Sequence, residues 1–200
     1  MALTVVALAY LLGSLSFAVI VSRVWRLPDP RTYGSGNPGA TNVLRSGRKS
    51  AAAVTLVGDA LKGVLGVYLA EWLAGPVATD LIAGAAVAVT VGHVFPVFFR
   101  FQGGKGVATA LGALIGLNFW LAGSVAATWI VIAFFFRISS LAALIAAASA
   151  PVFAAMLYGI AHPYFYAVVV IAALLVWRHR ANMQRLIAGT ESRIGSSRSQ

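Results

Sequence analysis

The chain has 200 residues, 60% of them hydrophobic and 10% charged, with a formal net charge of +10. A soluble domain carries about 25% charged residues, so a water-soluble globular fold is excluded. With no Cys, so are a disulfide, a thiolate nucleophile and a Cys metal site.

A bilayer core about 30 Å thick needs about 20 helical residues, and the apolar runs of this chain thread it repeatedly. Span 1 covers about 2–22 and stops at Arg23, Arg26 and Arg31. No basic stretch precedes it and no cleavage site follows, so it reads as a retained span rather than a signal peptide. Span 2 covers about 51–73, with Ser50 as its N-cap. The turn at 74–80 contains no basic residue. Span 3 covers about 81–99 and stops at Arg100; span 4 is a short run from about Gly106 to Asn118. Span 5 covers about 120–136, stopped by Arg137, and span 6 about 140–158. His162 and Pro163 mark a turn, and span 7 covers about 164–177 before a basic tail. The tail's end, 195–200, reads as disordered. The expected fold is all-α: one integral-membrane domain over 1–200, a polytopic helix bundle of about seven transmembrane helices. Merging spans 4 and 5 into a re-entrant excursion would leave five full crossings with the same inner loops.

Of the 15 Lys and Arg, every one but Lys62 falls on one side of this threading. The positive-inside rule then puts the N-terminus outside and the C-terminus in the cytoplasm. Because the basic residues lie in short loops between apolar runs, nucleic acid is not the expected partner. An anionic lipid head group or a phosphorylated substrate is. Lys62 and Asp59 lie three residues apart inside span 2, where ions are costly and usually paired. They read as a structural pair.

The same inner side carries the chemistry. In GSGNPGATNVLR at 34–45, Gly34 and Gly36 permit positive φ. Asn37 followed by Pro38 reads as an N-cap and first helical residue, opening a short helix from Pro38 to Leu44 whose amides face an anion. Ser35, Thr41 and Asn42 add small polar groups, and Arg45 can grip a phosphate through two nitrogens. In FQGGKGVAT at 101–109, Gly103, Gly104 and Gly106 surround Lys105 and open a helical run. This resembles a phosphate cradle in logic. It is not a Walker A motif, because Gly106 stands where Ser or Thr should be. In the tail, His179 and Asn182 share a helix face if span 7 continues, and Glu191 pairs with an Arg. His93, near the inner end of span 3, could face the site; the preferred reading is a satisfied interhelical hydrogen bond. Gly112 and Gly116 fit close helix packing. No carboxylate cluster suits Mg²⁺, no His/Glu pair suits zinc, and no His/Asp pairing suits a serine triad. No metal and no cofactor are expected.

The stretches GSGNPGATNVLR, GHVFPVFFRFQGGKGVAT and HRANMQRLIAGTE resemble the three cytoplasmic motifs of the bacterial acyl-phosphate:glycerol-3-phosphate acyltransferases, the PlsY family. The resemblance implies transfer of a fatty acyl group from acyl phosphate to the 1-hydroxyl of sn-glycerol 3-phosphate in phospholipid biosynthesis. It assigns Ser35, Arg45, Lys105, His179 and Asn182 to the polar catalytic site. Gly103 and Gly104 become phosphate-loop backbone, and Asn37 and Thr41 further substrate contacts. The implied partners are the two substrates and membrane lipids, with a monomer sufficient, in the bacterial inner membrane with the site facing the cytoplasm. The base is either His179 or, preferred, a phosphate oxygen of the donor. A transporter for anionic metabolites would need polar residues through the full bilayer depth, whereas the outer half here is almost wholly apolar. A lipid-binding scaffold would leave the two glycine-rich loops unexplained.

Overall fold

A computed structural model describes residues 1–195, so residues 196–200 of the tail expected to be disordered lie outside it. The described residues form ten α-helices: α1 Ala2–Gly13, α2 Phe17–Val24, α3 Ala40–Leu44, α4 Lys49–Ala74, α5 Thr79–Val94, α6 Val107–Leu117, α7 Phe119–Phe136, α8 Ser139–Tyr158, α9 Pro163–Arg178 and α10 Arg180–Ile187. They fall into two compact units, Met1–Phe119 and the chain from Trp120 onward.

Each predicted apolar run is found as a helix or a bent helix pair. Among the described residues four segments are long and apolar enough to cross a membrane, or six if the bent pairs α1–α2 and α9–α10 each count as one. The seventh run is α6. Its 11 residues rise about 16 Å at 1.5 Å per residue, short of the hydrocarbon thickness. The 18 residues of α7 qualify as a span by themselves. Helix α4 starts at Lys49 with Arg48 flanking it, so Ser50 lies inside the first turn rather than capping it.

Span 1 is not one helix. It breaks at Ser14–Ser16 and bends by 41°. Ser14 Oγ donates back to Tyr10 O at 2.9 Å, a side-chain competition that often bends helices. A break inside an apolar layer strands backbone carbonyls. Lys62 Nζ from α4 reaches the Leu15 carbonyl at 2.5 Å.

In the first unit α4 packs against α1, α2, α3, α5 and α6, and α5 against α1 and α6. Small residues set the spacing. A Cβ on Gly63 would strike the Thr109 carbonyl, and one on Gly112 the Ala60 carbonyl. Gly116 faces Val67, so the four-residue glycine spacing of α6 does serve close packing. In the second unit α8 packs on α9. Pro163 opens α9, and His162 Nδ1 accepts a hydrogen bond from Tyr164 N–H at 3.1 Å, capping it.

Candidate active site

The first glycine-rich loop is folded around one side chain. Asn42, 2% exposed, donates through Nδ2 to Pro30 O at 2.6 Å and Tyr33 O at 3.1 Å. Its Oδ1 accepts from Ser35 N–H at 3.0 Å. Gly34 and Gly36 have φ of 60° and 66°, the left-handed region the sequence predicted. A Cβ at Gly34 would stand 3.1 Å from Arg45 Cδ and 3.3 Å from Arg45 Nη1. The loop thus brings Arg45 across Gly34, next to Ser35, with Arg45, Ser35 and Thr41 exposed and Asn37 half-buried. The predicted helix from Pro38 is corrected. Gly39 is the N-cap, with extended backbone, and the helix runs only Ala40–Leu44. Five residues sum little macrodipole, so the anion-binding helix terminus expected at Asn37–Pro38 is not built. Upstream, Arg31 grips Asp29 with Nη2–Oδ2 at 2.6 Å and Nε–Oδ1 at 3.0 Å. These hydrogen bonds hold the Asp29 carboxyl below its ordinary range.

The second loop is held by the absence of side chains. After α5 a 3-10 turn at Val97–Phe99 leads to Arg100 and Phe101, both left-handed at φ 53° and 59°. Gly103 and Gly104 follow, both buried. A Cβ on Gly103 would overlap the His93 carbonyl oxygen, and one on Gly104 would overlap His93 Nε2 and stand 2.9 Å from Pro38 O. The two motif loops therefore meet at Gly104. Its N–H donates to His93 O at 3.2 Å, so at this residue the sequence's open amide cradle is a close backbone contact. Lys105 next to it is half-buried. Gly106, at φ 88°, caps α6.

Behind this junction lies a buried polar network in the apolar helices. Lys62 Nζ sits 2.9 Å from Asp59 Oδ1, the two side chains 1% and 2% exposed. The structural ion pair read from the sequence is present. His93 Nδ1 is 3.1 Å from Thr109 Oγ1 and 3.5 Å from Asp59 Oδ1, the expected interhelical bond from α5 to α6. The loop's approach is fixed from α1 as well, by Tyr10 O–H donating to Phe95 O at 2.8 Å and Val97 N–H to Ser14 Oγ at 3.3 Å.

In the second unit span 7 does not run on through its candidate residues. It ends at Arg178, bends by 57° and resumes as α10, with His179 at the corner. His179 and Asn182 are buried, 2% and 4% exposed, but do not share one continuous helix. His179 Nδ1 lies 2.7 Å from Leu175 O. A carbonyl can only accept, so Nδ1 carries the proton and the neutral ring has its lone pair on Nε2. Asn182 Nδ2 donates to Glu191 Oε1 at 2.6 Å, Ser140 Oγ donates to the same oxygen at 2.7 Å, and Arg185 Nε meets Oε2 at 2.6 Å. Burial pushes the Glu191 carboxyl up, but the hydrogen bonds from Ser140, Asn182 and Arg185 outweigh it and hold it below its ordinary range. The tail's acidic residue pairs with an Arg as expected. What the sequence missed is that it also engages Asn182.

A sequence profile described as glycerol-3-phosphate acyltransferase matches residues 3–189, the stretch that carries every candidate residue. The chain belongs to the glycerol-3-phosphate acyltransferase family. It is 58% identical over 191 residues to a glycerol-3-phosphate acyltransferase of Burkholderia lata, covering 95% of this chain and 89% of that protein. It is 59% identical over 192 residues to one of Ralstonia pickettii, covering 95% and 92%. Among solved structures it is similar to PlsY, an integral membrane glycerol 3-phosphate acyltransferase, in its glycerol 3-phosphate form. The TM-score is 0.90 at 37% identity, covering 97% of this chain and 96% of that one. The lysophosphatidic acid form gives 0.89 at 36%, covering 97% and 95%. The apolar helices and this likeness together make the chain an integral membrane protein.

Of the residues the sequence singled out, the structure joins Ser35 with Arg45 through Asn42 and Gly34. It joins Gly104, beside Lys105, to Pro38. Asn42 and His93 organise these contacts; the sequence counted Asn42 among the first loop's polar groups and His93 as able to face the site, but assigned neither a catalytic or substrate role. A polar residue inside a glycine-rich run and a lone histidine at the end of an apolar span were the available signals.

Proposed function

We propose that this protein transfers a fatty acyl group from acyl phosphate to the 1-hydroxyl of sn-glycerol 3-phosphate, in phospholipid biosynthesis. The hydroxyl oxygen forms a bond to the acyl carbon, the bond from that carbon to the phosphate oxygen breaks, and the hydroxyl proton leaves with phosphate. The products are lysophosphatidic acid and inorganic phosphate. The observation that carries this reading is the meeting of two glycine-rich loops at Gly104 and Pro38, one bearing Ser35 and Arg45 and the other Lys105. Such a junction suits a reaction in which both substrates carry phosphate.

Acyl phosphate is already activated, so the protein's work is positioning and charge stabilisation. Arg45 and Lys105 neutralise phosphate charge as it develops, Arg45 through a planar fork and Lys105 as a point charge. Ser35, Asn37 and Thr41 supply neutral hydrogen bonds. Gly103 and Gly104 let the backbone close on the His93 end of α5 and so set the reach of Lys105. His179 and Asn182 are assigned to the same reaction by their motif resemblance. With Nδ1 committed to Leu175 O, His179 would act through Nε2. The hydroxyl proton goes to a phosphate oxygen of the donor, because neither glycine-rich loop offers a carboxylate. We place the chain in the bacterial inner membrane as one catalytic domain over 1–200, working as a monomer. The N-terminus is outside and the basic loops and C-terminus are cytoplasmic, on the charge asymmetry of its loops.

The deciding experiment is phosphate release from acyl phosphate by the purified protein. It is expected to depend on glycerol 3-phosphate and to fall by orders of magnitude in Arg45→Ala and Lys105→Ala. No glycerol 3-phosphate-dependent release across several lipid and detergent conditions would overturn the reading. Loss of turnover in His179→Gln with retained binding and rescue by imidazole would move the base from the substrate phosphate to His179.

A further inference from the structure

We infer that His93 is a positioning residue for this reaction: it holds the Gly103–Lys105 backbone against the first loop while the buried Asp59–Lys62 pair and Thr109 fix its ring. This inference rests on the acyl-transfer reading above.

Three observations carry it. First, His93 meets Gly104 twice. Its carbonyl accepts the Gly104 N–H, and its Nε2 edge occupies the space a Gly104 side chain would need. Lys105 is the next residue, so the direction of its side chain is set by a peptide resting on this ring. Second, the far edge of the ring is anchored. Nδ1 lies 3.1 Å from Thr109 Oγ1 on α6 and 3.5 Å from Asp59 Oδ1 on α4. A neighbouring carboxylate favours the proton on Nδ1, which leaves the lone-pair nitrogen, Nε2, on the Gly104 side. Third, Asp59 is itself locked by Lys62, and Lys62 by the Leu15 carbonyl at the α1–α2 break. Burying two ions among apolar helices is costly, and well-packed apolar residues can replace such a pair at no loss of stability. A chain of contacts that ends against the Lys105 loop gives the pair a role in specifying geometry.

A residue that only aided folding would lower stability and leave the loop's placement in the surviving molecules unchanged. The test reads placement directly, in the full-length protein. The chain has no Cys, so Lys105→Cys provides a single thiol whose rate of reaction with a charged methanethiosulfonate reagent reports exposure. Adding His93→Leu is expected to raise that rate by about tenfold. Adding Thr109→Val, which removes only the hydroxyl, is expected to raise it by about threefold. Rates within twofold of the single variant in both cases overturn the inference. Thr109→Val keeps the test open if His93→Leu does not fold.

With Lys105 intact, His93→Leu is expected to lower kcat about tenfold with KM changed less than about threefold, because Lys105 meets charge that develops in the transition state, with recovery in His93→Asn. A loss of kcat of about 1000-fold at unchanged KM would instead mark His93 as a group touching the reacting atoms, and would overturn a positioning role. If the unsubstituted protein shows no acyl transfer, the proposed function falls. The thiol rates still decide whether His93 places the loop.

Discussion

The two glycine-rich loops of the first unit reach a similar end by opposite means. Loop 30–47 is organised by a side chain that is present: Asn42 reads three backbone groups at once. Loop 95–106 is organised by side chains that are absent: Gly103 and Gly104 admit the backbone and ring of His93 where any Cβ would collide. The first loop should therefore be sensitive to deleting atoms at Asn42, apart from the crowded, left-handed Gly34, and the second to adding them. Similar composition in two loops does not imply a similar mode of stabilisation.

The largest effect should come from adding a methyl group to the second loop. In Gly103→Ala the new Cβ meets the carbonyl oxygens of His93 and Val94, which are backbone and cannot swing away. The loop must shift, and kcat/KM for glycerol 3-phosphate is expected to fall by about 100-fold, since small displacements of positioning groups cost that much. Near-normal kinetics would mean that this close approach does not set the site.

Deleting atoms from the first loop should come next. Asn42→Ala removes three hydrogen bonds and leaves buried carbonyls short of a donor, at a cost of about 2–4 kcal/mol. Thermal unfolding in detergent should report it. Asn42→Asp keeps the acceptor for Ser35 N–H but sets its other carboxylate oxygen against the Pro30 and Tyr33 carbonyls, so it should melt no higher than Asn42→Ala. If Asn42→Ala melts like the unsubstituted protein, the first loop is held by something other than this side chain.

A change of opposite sign tests the strain in the second loop. Arg100 sits at φ 53°, a conformation that costs a side chain about 1 kcal/mol and glycine almost nothing. Arg100→Gly should therefore raise the melting temperature slightly, and a fall would show that its charge at the span end outweighs the strain.

The smallest effect belongs to the Asp29–Arg31 pair, whose side chains are 33% and 29% exposed. Solvent screening limits such a pair to a few tenths of a kcal/mol. The Asp29 carboxyl is lowered by Arg31, so its contribution is present above the ordinary carboxylate range and is lost as pH falls through the lowered value. Asp29→Asn should be nearly silent at pH 7, and the difference from the unsubstituted chain should vanish in acid.

Much of the scaffold was legible from local pattern. Apolar runs locate the helices because a bilayer-length helix must be apolar over most of its length. The Asp59–Lys62 pair was legible because three-residue spacing places two ions side by side on one helix. The break at Ser14–Ser16 was not, since its cost is met by Lys62 from a helix 47 residues away. Nor was the corner at His179, because the apolar pattern ends where the helix bends and no Pro or Gly marks it. The first loop's helix was placed two residues early for a related reason. Asn-Pro is a strong local start signal, but Asn42 draws the preceding chain around itself and Gly39 becomes the cap.

The sequence by itself determined the solvent of this protein, the identity of its cationic loops and the pairing of its intramembrane ions, because each depends on composition or on spacing along one helix. Tertiary structure alone decided how the loops are built. Whether a glycine presents its N–H to a ligand or spends it on a neighbour depends on what lies opposite, and for Gly104 that is His93, eleven residues back along the chain.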